Sequence, residues 1–181
     1  CLRREYTDMI KIMLLNPLID VNIQALVEEK DSITKESPIF LAVFVSSIEI
    51  VSLLLKNPKI DVNSQRTFEK TNTKYKMITP LLYSAIMNDN LEIIKLLLNH
   101  PDIDVNSPEK KYDDDKYTKK SPLVYAIENS KPEIVKLLLS HPKIDVNMKY
   151  IYDHPNNKYL EFSPLYLAVE SQNDEIVKLL L

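Results

Sequence analysis

The chain has 181 residues, a formal net charge of −3 and no glycine, where average usage predicts roughly a dozen. The missing glycines exclude a P-loop, a dinucleotide-binding loop and the nucleophile elbow of serine hydrolases, and the single cysteine, Cys1, excludes an intrachain disulfide. The near-neutral charge gives no footprint for nucleic acid or an anionic membrane surface, and the longest apolar run, 39–45, is too short to span a bilayer.

Three short strings recur along the chain in a fixed order. Each unit begins with Ser-Pro or Thr-Pro, an N-cap followed by proline at the first helical position, and a short apolar helix follows. Small polar residues then turn the chain, and a glutamate opens a second helix that ends at Asn-Pro or His-Pro. The copies are SPIFLAV, TPLLYSAI, SPLVYAI and SPLYLAV, starting 42 residues apart from Ser37; EIVSLLL, EIIKLLL, EIVKLLL and EIVKLLL, from Glu49; and NPLIDVN, NPKIDVN, HPDIDVN and HPKIDVN, from Asn16.

These units predict a solenoid. Helices of about eight residues are too short to be stable alone, and stacking of successive units buries their apolar faces. The unit at Thr79 has one extra residue before its alanine, so its first helix is expected to start differently. We divide the single domain, 1–181, into a half repeat (1–22), full repeats (23–63, 64–106 and 107–147) and a truncated last repeat (148–181).

The pattern resembles the ankyrin repeat over the whole chain. The matching motifs are Thr79-Pro80-Leu81 in the first helix, Glu133-Ile134-Val135-Lys136-Leu137-Leu138 in the second, and Asp145-Val146-Asn147 at the following β-turn. The resemblance implies an all-α ankyrin-repeat solenoid. The unit of about 42 residues exceeds the usual 33, and Asn, Asp, Ser and Pro replace the turn glycines of the family. Slight backbone strain is therefore expected in those turns.

The excess residues form inserts at 23–36, 64–78, 107–120 and 148–162, of near-constant length. The last insert has two β-prone arms around His154-Pro155-Asn156-Asn157, which predicts a hairpin. The others fit the same pattern, with tips near 29–31, 71–73 and 113–115. A longer loop costs only about 0.6 kcal/mol per doubling of its length, so projecting β-hairpin fingers are expected.

The inserts are the first candidates for partner contact. Their net charges differ, at −2, +3, +1 and 0 from first to last, whereas the helices are nearly identical between copies. Aromatic residues are enriched in protein interfaces. The alternative is that these rings only stack between hairpins and stiffen them. The candidate residues are Phe68, Tyr75, Tyr112, Tyr117, Tyr150, Tyr152 and Tyr159.

Ankyrin-like binders also use the end of the first helix, and by resemblance this points to a second set of candidates. Phe44, Val45 and Met87 would be apolar on an exposed groove, which can mark a contact patch. The alternative for Met87 is a place in the core, because its unit carries the extra residue. Glu128 and Glu170 are the acidic candidates at the corresponding positions.

No residue cluster predicts catalysis, a metal ion or a cofactor. His100 and His141 fill the slot of Asn16 and Asn57 in other copies, so they are expected to be turn residues. The aspartate of Asp-Val-Asn recurs in each of these turns, whereas a catalytic carboxylate would be singular, so a structural role is expected. The acidic run 113–115 lacks the spacing of a calcium loop, and no Cys/His cluster has zinc-site spacing.

The leading functional hypothesis is a non-catalytic scaffold that binds a protein partner through hairpin tips and the concave helix face. It involves no nucleic acid, membrane, small-molecule substrate or cofactor. The alternatives are an architectural array in a larger, for example cytoskeletal, assembly, or the repeat region of a longer multidomain protein. We place the chain in the cytoplasm, with cytoskeletal association as a further expectation. Apolar end faces, with Met9, Ile12 and Met13 at one end and 179–181 at the other, predict further repeats on both sides.

Overall fold

A computed structural model describes residues 12–13, 15–16, 18–114, 116–154 and 158–181. Most of the predicted half repeat, including Met9, lies outside these residues. Within them, helix pairs follow one another along the chain and a β-hairpin precedes each pair. The predicted stack of helix–turn–helix units with hairpins between them is therefore confirmed.

Each repeat contributes two short helices. The first helices are α1 (Pro38–Phe44), α3 (Leu81–Met87), α5 (Pro122–Glu128) and α7 (Pro164–Glu170), and the second helices are α2 (Ile48–Leu55), α4 (Leu91–Leu98), α6 (Pro132–Leu139) and α8 (Asp174–Leu180). Their inward residues are buried almost completely, among them Val124, Leu97 and Leu138, together with Ile103 and Val105 of an Asp-Val-Asn turn. Each such side chain contributes about 1.5–3 kcal/mol by burial.

Ser-Pro starts three of the first helices as predicted. The Ser37 hydroxyl accepts a hydrogen bond from the backbone N–H of Phe40 at 3.3 Å. Ser121 and Ser163 cap α5 and α7 in the same way. The following proline lacks an N–H that would otherwise remain without an intrahelical acceptor, so Ser-Pro suits this position.

The Thr79 unit differs, as its extra residue predicts. Pro80 takes the N-cap position, α3 begins at Leu81, and no side chain caps this helix. The strand before this helix runs through Thr79 and Pro80, whereas the corresponding strands of the other hairpins end before Ser-Pro. The Thr79 hydroxyl donates to Glu109 Oε1 at 3.3 Å.

Non-glycine residues occupy left-handed backbone in each of the described interhelix turns. The φ angles are 55° at Ser46, 58° at Asp89, 51° at Ser130 and 55° at Gln172. This conformation brings Cβ close to the backbone and costs roughly 1–2 kcal/mol in residues other than glycine. The expected strain in the turns without glycine is thus found at one repeated position.

The inserts form hairpins at the expected places. Their strands are β1 (Ala25–Glu29) and β2 (Ser32–Glu36), β3 (Gln65–Lys70) and β4 (Lys76–Pro80), β5 (Glu109–Asp113) and β6 (Lys116–Lys120), and β7 (Tyr150–His154) and β8 (Lys158–Phe162). The first two tips fall at 30–31 and 71–75, and the third follows Asp113. The fourth tip, 155–157, lies outside the described residues, as does the side chain of His154.

The hairpins are not separate fingers. Neighbouring hairpins pair with each other, so that the described strands form one eight-stranded antiparallel sheet in the order β1 to β8. At each junction the residues five positions beyond the Asn of Asp-Val-Asn meet the preceding hairpin, with Phe68 opposite Thr34, Lys111 opposite Met77, and Tyr152 opposite Thr118. Because this offset is constant, side chains align in rows across the sheet.

The Asp-Val-Asn turns join one repeat to the next. The Asn22 side chain donates from Nδ2 to the Lys59 carbonyl oxygen at 2.7 Å and accepts at Oδ1 from the backbone N–H of Asp61 at 2.8 Å. Asn63 and Asn106 repeat this arrangement. Within each turn the aspartate accepts from the backbone N–H of the asparagine. The predicted structural role of these aspartates is confirmed.

Candidate interaction surface

The sheet has an inner face that meets the first helices and an outer face that points away from them. Successive residues of a strand alternate between the two faces. The base of the inner face carries the row Glu36, Arg66, Thr79, Glu109, Lys120, Tyr150 and Phe162. The outer face carries the row Lys35, Thr67, Ile78, Lys110, Lys119, Ile151 and Glu161.

Contacts with the helices identify the inner face. The Lys120 Nζ lies 2.6 Å from Glu128 Oε2 at the end of α5. The ring of Phe162 stacks on that of Tyr166 in α7, with centroids 5.2 Å apart. The inner face of the sheet and the first helices therefore border a groove, and side chains from both contribute to its lining.

Arg66 anchors the groove at its base. Its guanidinium lies 5.2 Å from the centroid of the Phe44 ring, and its Nε lies 3.4 Å from Glu36 Oε2. The Nε is buried and makes no hydrogen bond, so the attraction to Glu36 is mainly charge–charge. Arg66 thus joins two neighbouring hairpins to the end of α1.

An apolar patch is exposed along the groove in the first two described repeats. Phe44, Val45 and Met87 are 51%, 57% and 45% exposed. Met87 is therefore a surface residue, and the extra residue in its unit does not carry it into the core. Phe68 and Met77 lie on the next inner row, half-buried. We call Phe44, Val45, Met87, Phe68 and Met77 the groove patch.

Tyr75 lies beside this patch, in the tip of the second hairpin. Its ring meets the edge of Phe68 at 6.0 Å between centroids, and the Nζ atoms of Lys70 and Lys111 lie 5.1 and 5.3 Å from its centroid. Partial burial, and then the carboxylates of Glu109 and Asp113, raise the pKa of the Tyr75 hydroxyl. The ring is thus held by its neighbours while part of it stays accessible.

The candidate tyrosines of the inserts lie on two faces of the sheet. Tyr150 packs 6.3 Å from Phe162 and 6.4 Å from Tyr152 on the inner face. Tyr112 and Tyr117 face each other on the outer face, with centroids 5.0 Å apart. Most of these ring contacts are made within a hairpin. The side chain of Tyr159 lies outside the description, although its backbone pairs with Asp153.

The number of residues after the Asn of Asp-Val-Asn indicates on which face of the sheet a side chain lies. In the first arm of each hairpin, residues three and five positions after the Asn of Asp-Val-Asn lie on the inner face, as Tyr150 and Tyr152 do after Asn147. Tyr112 lies six positions after Asn106 and so falls on the outer face. Whether this number is odd or even can be read from the sequence, but it predicts the face of the sheet only when the strand register is known.

The acidic candidates differ in their surroundings. Glu128 is neutralised by Lys120, whose Nζ also lies 4.8 Å from the centroid of the Tyr150 ring. Glu170 is exposed, and it has no ion pair among the described residues. The helices α5 and α7 therefore end in acidic residues, whereas α1 and α3 end in the apolar residues Phe44 and Met87.

A half-buried carboxyl group is not predicted by the sequence pattern. Glu109 accepts from the Thr79 hydroxyl and lies beside the hydroxyl of the buried Tyr83. Burial raises the pKa of Glu109 despite the hydrogen bond from Thr79, and burial followed by the nearby Glu109 raises the pKa of Tyr83 well above its usual range. The extra residue at Thr79 is the only sequence signal for this cluster.

The histidines in the turns have the predicted structural role. Nδ1 of His100 accepts from the backbone N–H of Asp102, and Nδ1 of His141 accepts from that of Lys143, each at 3.3 Å. Asn57 makes the equivalent bond through its side-chain oxygen at 2.9 Å. Across the described part of the chain, no cluster of His, Cys, Asp or Glu could hold a metal ion. Nor does any helix found there have the length and apolar character to cross a membrane.

An apolar cavity lies in the first described repeat, and Val45 of the groove patch is among the residues that line it. It has a volume of about 430 Å³ and is lined by Met13, Ile19, Ile23, Leu41 and other apolar residues. These residues form the side of the first described repeat that faces the start of the chain. The cavity therefore lies on a stacking face of the repeat and reaches the groove only at Val45.

Comparisons with known proteins agree with this architecture. The family model for ankyrin repeats, which spans three copies, matches residues 68–150 and, in a second match, 112–181. Among solved structures, the chain resembles the ankyrin repeat domain of Bcl-3, a member of the IkappaB protein family, with a TM-score of 0.56 and 22% sequence identity over 80% of this chain. The match spans 54% of the Bcl-3 domain. No curated protein sequence matches the chain.

Proposed function

The chain belongs to the ankyrin-repeat family, and we propose that it is a non-catalytic scaffold that binds a protein partner along the inner face of its sheet. Ankyrin repeats generally mediate protein–protein interactions and are generally non-catalytic. The proposal does not require a cofactor, a small-molecule substrate, nucleic acid or a membrane. It places the scaffold in the cytoplasm.

The exposed groove patch is the observation that carries this proposal. Apolar side chains of adjacent repeats are presented in line, with Phe44 and Met87 at equivalent helix positions and Phe68 on the hairpins above them. Contiguous exposed apolar surface between polar borders is typical of protein contact sites. The acidic Glu170 extends the groove beyond the apolar part. A partner segment with apolar side chains and a basic residue would match this order.

Point substitutions test the proposal more cleanly than removal of a hairpin. Deleting 64–78 or 107–120 would leave the edges of two neighbouring hairpins unpaired, because all the described hairpins share one sheet. Phe44→Ser together with Met87→Ser instead removes exposed apolar surface without touching the ladder. Leu91→Ser is the matched control, because Leu91 is 40% exposed at the start of α4 and lies outside the groove patch.

A photo-crosslinking amino acid placed at Glu170 reports contact in the groove, and one placed at Leu91 reports contact elsewhere. When the chain with the probe at position 170 is expressed in cells of the source organism, crosslinking should give one discrete protein adduct. The adduct should disappear when Phe44→Ser and Met87→Ser are added. The Leu91→Ser variant should retain it. Equal adducts from both probe positions, or a Glu170 adduct that survives the double substitution, would contradict the proposal. Circular dichroism checks that each variant is folded.

The alternatives, an architectural array in a larger assembly or the repeat region of a longer multidomain protein, predict a different pattern of contacts. An array within a larger assembly would be held along its length, and its adducts would arise from several surfaces. The same crosslinking experiment separates the two, since a scaffold predicts adducts confined to the groove.

A further inference from the structure

The outer face of the third hairpin carries two lysines directly opposite each other. Lys110 in β5 and Lys119 in β6 are cross-strand neighbours, and neither forms an ion pair with any described residue. Like charges in this position destabilise an antiparallel pair. The next outer pair toward the tip is Tyr112 and Tyr117, whose ring centroids lie 5.0 Å apart. Two cations and two aromatic rings thus share one block of surface.

The other described hairpins do not repeat this arrangement. In the second hairpin the corresponding outer pairs are Thr67 with Ile78, and Glu69 with Lys76, whose charges are joined at 2.8 Å. In the fourth hairpin, the outer residue Glu161 accepts from Lys149 at 2.6 Å. The carboxylates of Glu69 and Glu161, on either side of the third hairpin, are therefore paired with lysines of their own hairpins.

The acids of the third hairpin cannot neutralise the lysine pair from the same face. Strand alternation places Glu109 and Asp113 on the inner side, and Glu109 is held there by Thr79. Ile78 and Ile151 flank the lysines in the same outer row, half-buried. Lys110 and Lys119 are thus the charged centre of a surface. The isoleucines border it on both sides, and the two tyrosines lie next to it toward the hairpin tip.

Charge complementarity identifies the occupant of this surface. A carboxylate between Lys110 and Lys119 would remove the repulsion between them and would form charge-assisted hydrogen bonds. An apolar side chain next to that carboxylate would reach Tyr112, which is 36% exposed. A polyanion fits less well, because its charges would continue toward Asp153 and Glu161 on the neighbouring hairpin and the chain is acidic overall.

We infer that the outer face of the third hairpin is a second interaction surface, which binds an acidic segment of a protein with apolar residues beside its carboxylates. Lys110 and Lys119 bind the carboxylates, and Tyr112 and Tyr117 contact the apolar side chains. This surface lies on the opposite side of the sheet from the groove patch. One chain can therefore hold two partner segments at once.

The inference is tested by titrating the ¹⁵N-labelled chain with an acetylated peptide of alternating glutamate and leucine. Saturable shifts should appear in the amide signals of β5 and β6. Lys110→Thr with Lys119→Thr should weaken binding at least about tenfold, and Lys35→Thr, an outer-row lysine of the first hairpin, should leave it unchanged. Threonine keeps the β-propensity of the strands. Binding should also weaken as salt is raised.

Three results would overturn the inference. The first is the absence of saturable shifts at millimolar peptide, and the second is equal loss of affinity in Lys35→Thr. The third is tighter binding of a single-stranded oligonucleotide than of the peptide at the same residues, which would make this a polyanion site. The Phe44→Ser and Met87→Ser variant should bind the peptide as wild type does, so this test is independent of the groove.

Discussion

The side-chain oxygen of Asn63 accepts a hydrogen bond from the backbone N–H of Asp104 at 2.7 Å, across 41 residues of chain. The same amide donates from Nδ2 to the Asp102 carbonyl oxygen, also at 2.7 Å. One side chain thereby satisfies two backbone groups of the next repeat. The arrangement repeats at Asn22 and Asn106, so the turns are joined in series.

Asn63→Ala should lower the free energy of unfolding by about 1–3 kcal/mol, because it leaves two backbone groups of the next turn without their partner. Urea unfolding followed by circular dichroism measures the change. Asn147→Ala is the matched control. Its side chain makes no hydrogen bond within the described structure, so its loss should cost less than about 0.5 kcal/mol. Equal losses in the two variants would refute the bridging role.

Ser130→Gly should stabilise the chain by about 0.5–1 kcal/mol. Ser130 has φ of 51°, where glycine avoids the cost of Cβ, although glycine also gains entropy in the unfolded chain. Asn99→Gly should destabilise instead, because Asn99 has φ of −79° and gains nothing from the exchange. Thermal unfolding of both variants gives the sign directly, and a fall in melting temperature for Ser130→Gly would count against strain at this turn.

Lys131→Met should cost about 1 kcal/mol. Lys131 Nζ donates to Asp89 at 2.9 Å and to the carbonyl oxygen of Ile86 at 3.3 Å, so it links the turn after α3 to the next repeat. Methionine keeps the packing of the aliphatic stem but loses both bonds. Lys136→Met is the control, since Lys136 has no ion pair among the described residues. Denaturant unfolding should separate the two variants.

Glu109→Gln should change how stability depends on pH. Burial raises the pKa of Glu109 in the folded chain, so the folded state holds its proton to higher pH than the unfolded state does. Wild-type stability from this group therefore falls as pH rises above the ordinary value of 4.5. The free energy of unfolding of the variant minus that of wild type should rise over the same interval, in urea titrations at a series of pH values.

Glu69→Gln supplies a control of opposite sign. The hydrogen bond from Lys76 lowers the pKa of Glu69, so its stabilising contribution is present above the ordinary value and is lost as pH falls. Its variant-minus-wild-type difference should become more negative as pH rises, by a small amount because Glu69 is exposed to solvent. Parallel pH profiles for the two variants would show that burial of Glu109 is not the cause.

The repeat, the helix starts and the hairpin arms could be predicted because their signals are local. Ser37 before Pro38 is a cap wherever it occurs, and the length of the inserts bounds the arms. The extra residue at Thr79 was visible, and its effect on the helix start followed. In each case a few adjacent residues determine the outcome.

The pairing between hairpins depends on contacts between residues 32 to 38 apart in sequence, which no local pattern encodes. Without that register the tyrosines could not be assigned to faces, so Tyr112 and Tyr150 were grouped together although the sheet lies between them. Glu109 was overlooked for the same reason. A glutamate in a charged strand suggests full solvent exposure, and only the contacts with Tyr83 and Thr79 make the position half-buried.

The continuous sheet makes arm length a shared property of the hairpins. An insertion or deletion in one arm would leave N–H and C=O groups unmatched in the strands on either side, so its effect would extend to the adjacent hairpin. A side-chain substitution on either face of the sheet changes only one row of side chains on that face. Hairpin sequences of equal length can therefore be exchanged between repeats without disturbing the strand pairing. Such an array can acquire a new binding surface through changes of side chains alone, while its backbone structure stays the same.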